Sequence, residues 1–277
     1  MSASDVAAVV VDFHAGSALA QCVASLRDNG VDDIVVVENG ALGTAQGSVD
    51  DAGVTVVEPG LNLGYGRGVN RGVAAAPPRP YLLVSNPDVV VHAGAVDAMV
   101  EFLESHPGVA LVGPRIERPD GTVYPSQRIF PNVWLAGLHA VLDPLWPSNP
   151  FSATYRSPRE DGTVDWVSGA LFVVRRDVFE AVGGFDERYF MFAEDMALCW
   201  QVHEAGFEVA ATNDAVVTHV EGLSRAHASR AMLIAHHRSA MRFEWQSARG
   251  WRRMLAPVAT AVLGLRLAAL LVVRHLS

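Results

Sequence analysis

The chain has no lysine: its twenty-one basic residues are all arginine. It has two cysteines, Cys22 and Cys199, each inside an amphipathic run and neither with a C-x-x-C partner. That excludes a disulfide framework and a thiolate zinc site, and it suits a reducing compartment. There is no internal repeat and no low-complexity tract, which removes solenoid and disordered classes. The N-terminus lacks the basic-then-apolar pattern of a signal peptide; Asp5 leads directly into a strand-like run, so no leader is expected. What remains is 277 residues, half of them hydrophobic. That is enough for one large domain with a full core, or one domain and an appendage.

The net charge of −9 conceals a division. Residues 223–277 carry nine arginines and one acid, Glu244, for +8; the preceding 222 residues carry twelve arginines and twenty-nine acids, for −17. A basic tail on an acidic body calls for an anionic partner at one end, whether a lipid surface, a lipid diphosphate or nucleic acid. Coding bias accounts for arginine over lysine but not for the clustering.

Along the first 112 residues, short apolar runs alternate with helical spacing. Strands are expected at 6–13, 34–37, 54–57, 81–84 and 109–112, and helices at 16–29, 64–76 and 94–105. This is the pattern of a doubly wound α/β layer. Residues 115–162 are proline-rich, with Trp134 and Trp146, and read as loops and short helices that partly form an acceptor pocket. A strand follows at 164–174, a short helix at 176–182, a helix at 194–205 and one or two short strands at 207–218. Everything after 223 reads as helix.

Asp88 follows a buried strand within Asn86-Pro87-Asp88. An acid at a strand's carboxyl end can hold a divalent metal against a diphosphate; an inert turn is the alternative. Glu194-Asp195 opens a helix after the aromatic stretch 189–192. There a shielded acid can take a proton from a hydroxyl, although the helix dipole alone accounts for acids in a first turn. The glycine-rich segment 62–72 fails the dinucleotide fingerprint because Val69 stands where the third glycine belongs. Its glycines either admit a phosphate or allow tight helix-to-sheet packing. His219 ends an apolar run, as a structural histidine or as a metal ligand. Residues 254–273 are apolar apart from Thr260 and Arg266, and Arg266 near the middle would cost about 2.5–3.5 kcal/mol in a spanning helix. A helix lying in the membrane face is favoured, over a spanning helix or a buried packing or dimer helix.

These pieces, in order, resemble the family 2 glycosyltransferases of the GT-A fold: Val9-Val10-Val11-Asp12-Phe13-His14, Val36-Val37-Glu38-Asn39-Gly40, the segment 62–72, Asn86-Pro87-Asp88, Val167-Ser168-Gly169-Ala170, Gly183-Gly184-Phe185-Asp186-Glu187, Phe192-Ala193-Glu194-Asp195 and His219. The variants look most like the rhamnosyltransferase branch. The resemblance implies an inverting, metal-dependent transfer from dTDP-L-rhamnose to a polyprenyl-diphospho-N-acetylglucosamine in cell-wall (arabinogalactan) linker synthesis. The enzyme would be peripheral on the cytoplasmic face of the plasma membrane, with homo-oligomers left open. It implies a GT-A catalytic domain over 1–222, with a nucleotide-binding half (1–112) and an acceptor half (113–222), and membrane-associating helices over 223–277. Asp12 and Phe13 would lie near the nucleotide base, with Glu38, where the family usually has Asp, and Asn39 beside it. Asn62, Gly64 and Asn70 would line the nucleotide pocket. Asn86 stands for the first acid of the usual D-x-D, Asp88 would carry Mg²⁺ or Mn²⁺ with His219, and Trp166, Ser168, Gly169 and Asp186 would border the sugar and acceptor. Asp195, or alternatively Glu194, would be the base. Another sugar on the same scaffold, and a nucleotide-sugar-binding protein without turnover, are the competing readings; a nucleic-acid binder is disfavoured because the apolar run beyond the basic tail suits lipid better.

Overall fold

A computed structural model describes residues 1–40, 53–130, 162–220 and 230–276, together with positions 43, 45, 49, 146, 148 and 150. Trp134, most of the proline-rich stretch and the domain boundary expected at 222 lie outside the described residues. Strand β1 (Val6–Asp12) is buried along its whole length, as a continuous apolar run in a parallel sheet requires. Its side chains alternate between two cores. Val6, Ala8 and Val10 meet Leu19, Cys22 and Leu26 of α1 (Ser17–Asp28). Ala7, Val9 and Val11 lie in the opposite core with Val69 and Val73 of α2 (Tyr65–Val73). Helices on both faces make the doubly wound layer expected from the alternation.

The remaining elements follow in order. They are β2 (Asp33–Glu38), β3 (Val54–Val57), β4 (Tyr81–Ser85), β5 (Val89–Val91), α3 (Ala95–Ser105), β6 (Val109–Glu117), β7 (Gln127–Arg128), β8 (Thr163–Val164), β9 (Trp166–Val167) and β10 (Leu171–Arg175). Then come α4 (Arg176–Ala181), α5 (Glu194–Glu204), β11 (Glu208–His219), α6 (Arg230–Ser247) and α7 (Ala256–Leu276). The main sheet has the order β3-β2-β1-β4-β10-β6-β11-β5, with β8 on β11; β7 and β9 form a separate pair. β3, β2, β1 and β4 are parallel, and so are β6 and β11. β10 runs antiparallel between β4 and β6. That reversal sets Leu171 opposite Ser85 and brings the turn before β10 to the carboxyl end of β4. β5 pairs antiparallel with β11, placing Val89 opposite His219.

Three expectations need correction. The strand expected over 164–174 is three strands, because Ser168-Gly169-Ala170 turns away from the ladder to meet other elements. Instead of one or two short strands near 207–218 there is one strand of 12 residues, irregular where its register to β6 shifts. β5 is an additional strand of only three residues. Among the described residues no helix is long and apolar enough to cross a membrane, so the spanning alternative for 254–273 is not supported.

The glycine-rich segment is a packing device. A Cβ on Gly72 would meet Val9 of β1 and come within 2.8 Å of Val37 Cγ2 of β2, so α2 lies against the sheet at a distance only glycine permits. Gly72→Ala is therefore expected to lower the unfolding free energy by about 1–3 kcal/mol in a urea titration; an unchanged midpoint would show that α2 has slack above the sheet.

Candidate active site

The functional side chains gather at the carboxyl edge of β1, β2 and β4, where α/β proteins bind ligands. Asp12, at the end of β1, and Glu38 and Asn39, at the end of β2, are all buried. The Asn39 N–H donates to the Asp12 carbonyl at 2.8 Å. Burial pushes the Asp12 carboxyl up, while the Ala15 N–H, 3.1 Å from Oδ1, pulls it back. Asn39 fixes the next loop: its Nδ2 donates to Asn62 Oδ1 at 3.2 Å and to the Gly64 carbonyl at 3.1 Å, and its Oδ1 accepts from Leu63 N at 2.7 Å. Gly64 has φ +83°, and a Cβ there would collide with the Phe190 carbonyl, so the loop tolerates only glycine. Phe13 projects beside this cluster, 42% exposed. Five of the expected nucleotide residues are thus one hydrogen-bonded unit with an exposed aromatic at its rim.

Beyond the end of β4, Asp88 and His219 meet: His219 Nε2 lies 3.1 Å from Asp88 Oδ1. The pairing of β5 with β11 dictates this, because it sets His219 opposite the residue after Asp88. Asn86 is tied in by its backbone, its N–H donating to the Ala170 carbonyl at 2.8 Å.

The third cluster stands on the far side of the Ser168-Gly169-Ala170 turn. Gly169 N–H donates to Asp195 Oδ2 at 2.9 Å, and Met196 N–H to Oδ1 at 2.8 Å. The Asp195 carboxylate is therefore held at both oxygens at the start of α5. Ala193, its N-cap, and Phe192 have φ of +60° and +67°, a conformation costing about 1–3 kcal/mol per residue. Helix α6 restrains this loop: Ser239 Oγ donates to the Met191 carbonyl at 2.8 Å, and His236 packs edge-on against Phe192.

Asn70 and Asp186, expected in the nucleotide pocket and beside the sugar, flank the Phe185 turn. Asn70 spans the Phe185 backbone, donating to its carbonyl and accepting from its N–H at 2.9 Å each. Asp186 pairs with Arg188 at 2.6 Å. Trp166 is buried, its Nε1 donating to the Ile129 carbonyl at 3.1 Å.

Comparison with known proteins decides the family. The description "Glycosyltransferase like family 2" matches residues 3–241. The chain is a family 2 glycosyltransferase. It is 37% identical over 263 residues to the N-acetylglucosaminyl-diphospho-decaprenol L-rhamnosyltransferase of Mycobacterium tuberculosis, covering 88% of this chain and 85% of that protein. A rhamnosyltransferase of Escherichia coli strain K12 is 30% identical, covering 56% of this chain and 60% of its own. Among solved structures, a Pyrobaculum calidifontis mannosyltransferase in complex with GDP-Man and Mn²⁺ superposes with TM-score 0.62 at 16% identity, over 96% of this chain and 74% of that one. GalNAc-T7 with UDP, GalNAc and Mn²⁺ gives 0.66 at 15% identity, over 92% and 51%. The fold is the GT-A fold.

Sequence reasoning missed two residues of the glycosyltransferase's site. The Tyr65 hydroxyl donates to the Gly169 carbonyl at 2.6 Å; desolvation, then the charges of Glu194, Asp195 and Asp88, push its phenol well above the usual value. Tyr65 therefore anchors the Ser168-Gly169-Ala170 turn that also holds Asp195. Arg128 stacks over the Trp166 ring at 5.1 Å, and its charge favours the Asp195 anion. The glycines around Tyr65 held attention in the sequence, and Arg128 is brought in only by the β7–β9 pair.

Glu194 and Asp195 titrate as a pair. Burial, then the Asp195 charge, raises Glu194 to about 8. Burial also raises Asp195, opposed by the Gly169 and Met196 N–H groups and by Arg128. Glu194 Oε2 has no hydrogen-bond partner among the described residues. Near neutral pH Glu194 therefore holds a proton, while the Gly169 and Met196 N–H groups and Arg128 favour the Asp195 anion against its burial. A carboxyl raised on folding holds a proton that the unfolded chain releases, so its stabilisation is complete below the ordinary value of 4.5 and is lost as pH rises through about 8. Glu194→Gln is expected to raise Tm at pH 8 by at least about 2 °C and to flatten the decline in stability across that window. An unchanged Tm and an unflattened decline would show that Glu194 is already ionised in the folded chain.

Proposed function

We propose that this glycosyltransferase moves L-rhamnose from dTDP-L-rhamnose to a polyprenyl-diphospho-N-acetylglucosamine with inversion, in cell-wall linker synthesis. The observation that carries the reading is the Asp195 carboxylate, held at both oxygens, one of them by Gly169 of the turn whose Ala170 carbonyl accepts from Asn86, two residues before the Asp88 that pairs with His219. A candidate base and a charge-binding pair thus adjoin one backbone turn, within a chain that resembles the mycobacterial rhamnosyltransferase over most of its length.

Asp12, Glu38, Asn39, Asn62 and Gly64, with Phe13 at the rim, bind the nucleoside. Asp88 offers a hard oxygen and His219 an imidazole nitrogen, a donor set that fits Mg²⁺ or Mn²⁺. Asp88 and His219 would hold such an ion, with no third His, Cys, Asp or Glu grouped with them among the described residues. When bound, such an ion neutralises the charge developing on the leaving diphosphate. Asp195 accepts the proton of the acceptor hydroxyl as that oxygen attacks the anomeric carbon. Arg128 and the two backbone N–H groups favour the Asp195 anion against the burial that raises it. One displacement inverts the centre, so no covalent intermediate is needed. Asn70 acts by holding the Phe185 turn. Ser168, Gly169 and Trp166 form the wall between donor and acceptor.

Helix α7 exposes Val258, Val262, Leu265 and Val272, each 58–72% accessible, and Trp251 precedes it, 65% accessible. With arginines on the same tail, this face suits an anionic inner leaflet, where each arginine adds about 1 kcal/mol. On this reading the enzyme would attach peripherally at the cytoplasmic face of the plasma membrane.

Transfer from dTDP-L-rhamnose to a short polyprenyl-diphospho-N-acetylglucosamine should require Mg²⁺ or Mn²⁺. Asp195→Asn should lower kcat about 10²–10⁴-fold, with donor affinity retained. Turnover of UDP- or GDP-sugars but not of dTDP-L-rhamnose would overturn the rhamnosyl assignment. A second test concerns the ion: Mn²⁺ binding should be weak alone, tighten with dTDP, and lose that gain in Asp88→Asn. Equal Mn²⁺ affinity in that variant would place the ion elsewhere.

A further inference from the structure

The basic tail carries a feature that donor binding and proton transfer leave unused. Arg188, Arg238, Met241, Arg242, Trp245 and Gln246 line an open groove of about 500 Å³ between the 186–191 loop and α6. Residues 238, 241, 242, 245 and 246 share one face of the helix by their spacing. Arg188 is paired with Asp186 at 2.6 Å. Among the described residues no carboxylate lies within ion-pairing distance of Arg238 or Arg242; Arg242 rests over the Tyr189 ring at 5.7 Å. Two like charges one helical turn apart repel, and an anion between them would remove that cost. The other wall is apolar, formed by Met241 and Trp245. Trp245 Nε1 donates to Thr260 Oγ1 of α7 at 2.9 Å, so the groove abuts the helix whose exposed apolar stripe includes Val258 and Val262.

The groove also leads to the chemistry. Arg188 is its loop wall, and the same loop is tied to α6 behind it: the buried Tyr189 hydroxyl donates to Gln246 Oε1 at 2.7 Å, and Ser239 Oγ to the Met191 carbonyl. Glu194 follows Arg188 by six residues, at most about 20 Å of extended chain, so one loop joins the groove to the start of α5.

We infer that this groove binds the diphosphate of a polyprenyl-diphosphate acceptor, with Arg238 and Arg242 on the phosphate oxygens and Met241, Trp245 and the α7 stripe along the first isoprene units. Planar guanidinium groups suit phosphate oxygens through paired N–H donors. The inference rests on the acceptor class proposed above and adds where that acceptor is held.

The test is binding of farnesyl diphosphate, and of uncharged farnesol, to the full chain in EDTA, which removes any metal-held diphosphate at Asp88. Wild type is compared with Arg238→Gln/Arg242→Gln, whose fold and dTDP binding serve as controls. The double variant should lose about tenfold or more in farnesyl diphosphate affinity, with farnesol binding unchanged. In transfer assays its KM for the lipid acceptor should rise similarly while its donor KM holds. Equal farnesyl diphosphate affinity in both proteins would overturn the assignment. So would a variant that loses only its attachment to anionic phospholipid vesicles, since the arginines would then serve the membrane surface. If wild type transfers nothing to the lipid diphosphate but glycosylates other acceptors, the acceptor class itself fails. If wild type transfers and the variant's acceptor KM is unmoved, the groove alone fails.

Discussion

The antiparallel insertion of β10 between β4 and β6 is the constraint on which the site depends. In a wholly parallel sheet, the turn before β10 would lie at the opposite edge from Asp88. Reversed, it sets Ala170 against Asn86, and its next-door neighbour Gly169 touches both Tyr65 and Asp195. One backbone turn therefore links the diphosphate end to the proton-accepting end. No catalytic side chain has to reach far, because sheet register does the positioning.

That arrangement carries a cost. Two adjacent carboxyls sit in a poorly solvated position, after two residues with left-handed backbone. Such strain persists only where the surroundings over-determine it, and here α6 does so through Ser239 and His236. The tail is consequently part of the catalytic structure as well as a basic surface. This explains why a segment of opposite charge to the body packs on it so closely, with Phe243 in the same core as Phe172 and Phe185.

Much of this was legible in the sequence. Strands buried on both faces leave continuous apolar runs, so β1, β2, β3 and β4 could be read directly. An acid after such a run, and acids at a helix start, marked Asp88 and Asp195. β5 escaped because three residues after a turn carry no periodicity. The break at Ser168-Gly169-Ala170 escaped because the flanking residues are apolar on both sides. Asn70 and Asp186 were found as polar residues in motifs, but their partners, the Phe185 backbone and Arg188, depend on which loop the fold lays beside them. Tyr65 and Arg128 are site residues by tertiary placement alone. Within the glycine-rich segment, composition allowed phosphate approach or helix packing, and only the distance of α2 from β1 and β2 chose packing for Gly72.

The most direct measurement is anomalous diffraction from crystals grown with Mn²⁺ and dTDP. The account predicts one Mn²⁺ peak within about 2–2.5 Å of Asp88 and His219, bridged by the diphosphate, with the Asp195 carboxylate facing the same cleft. A metal bound away from Asp88, or a nucleotide bound away from Asp12 and Asn39, would contradict it.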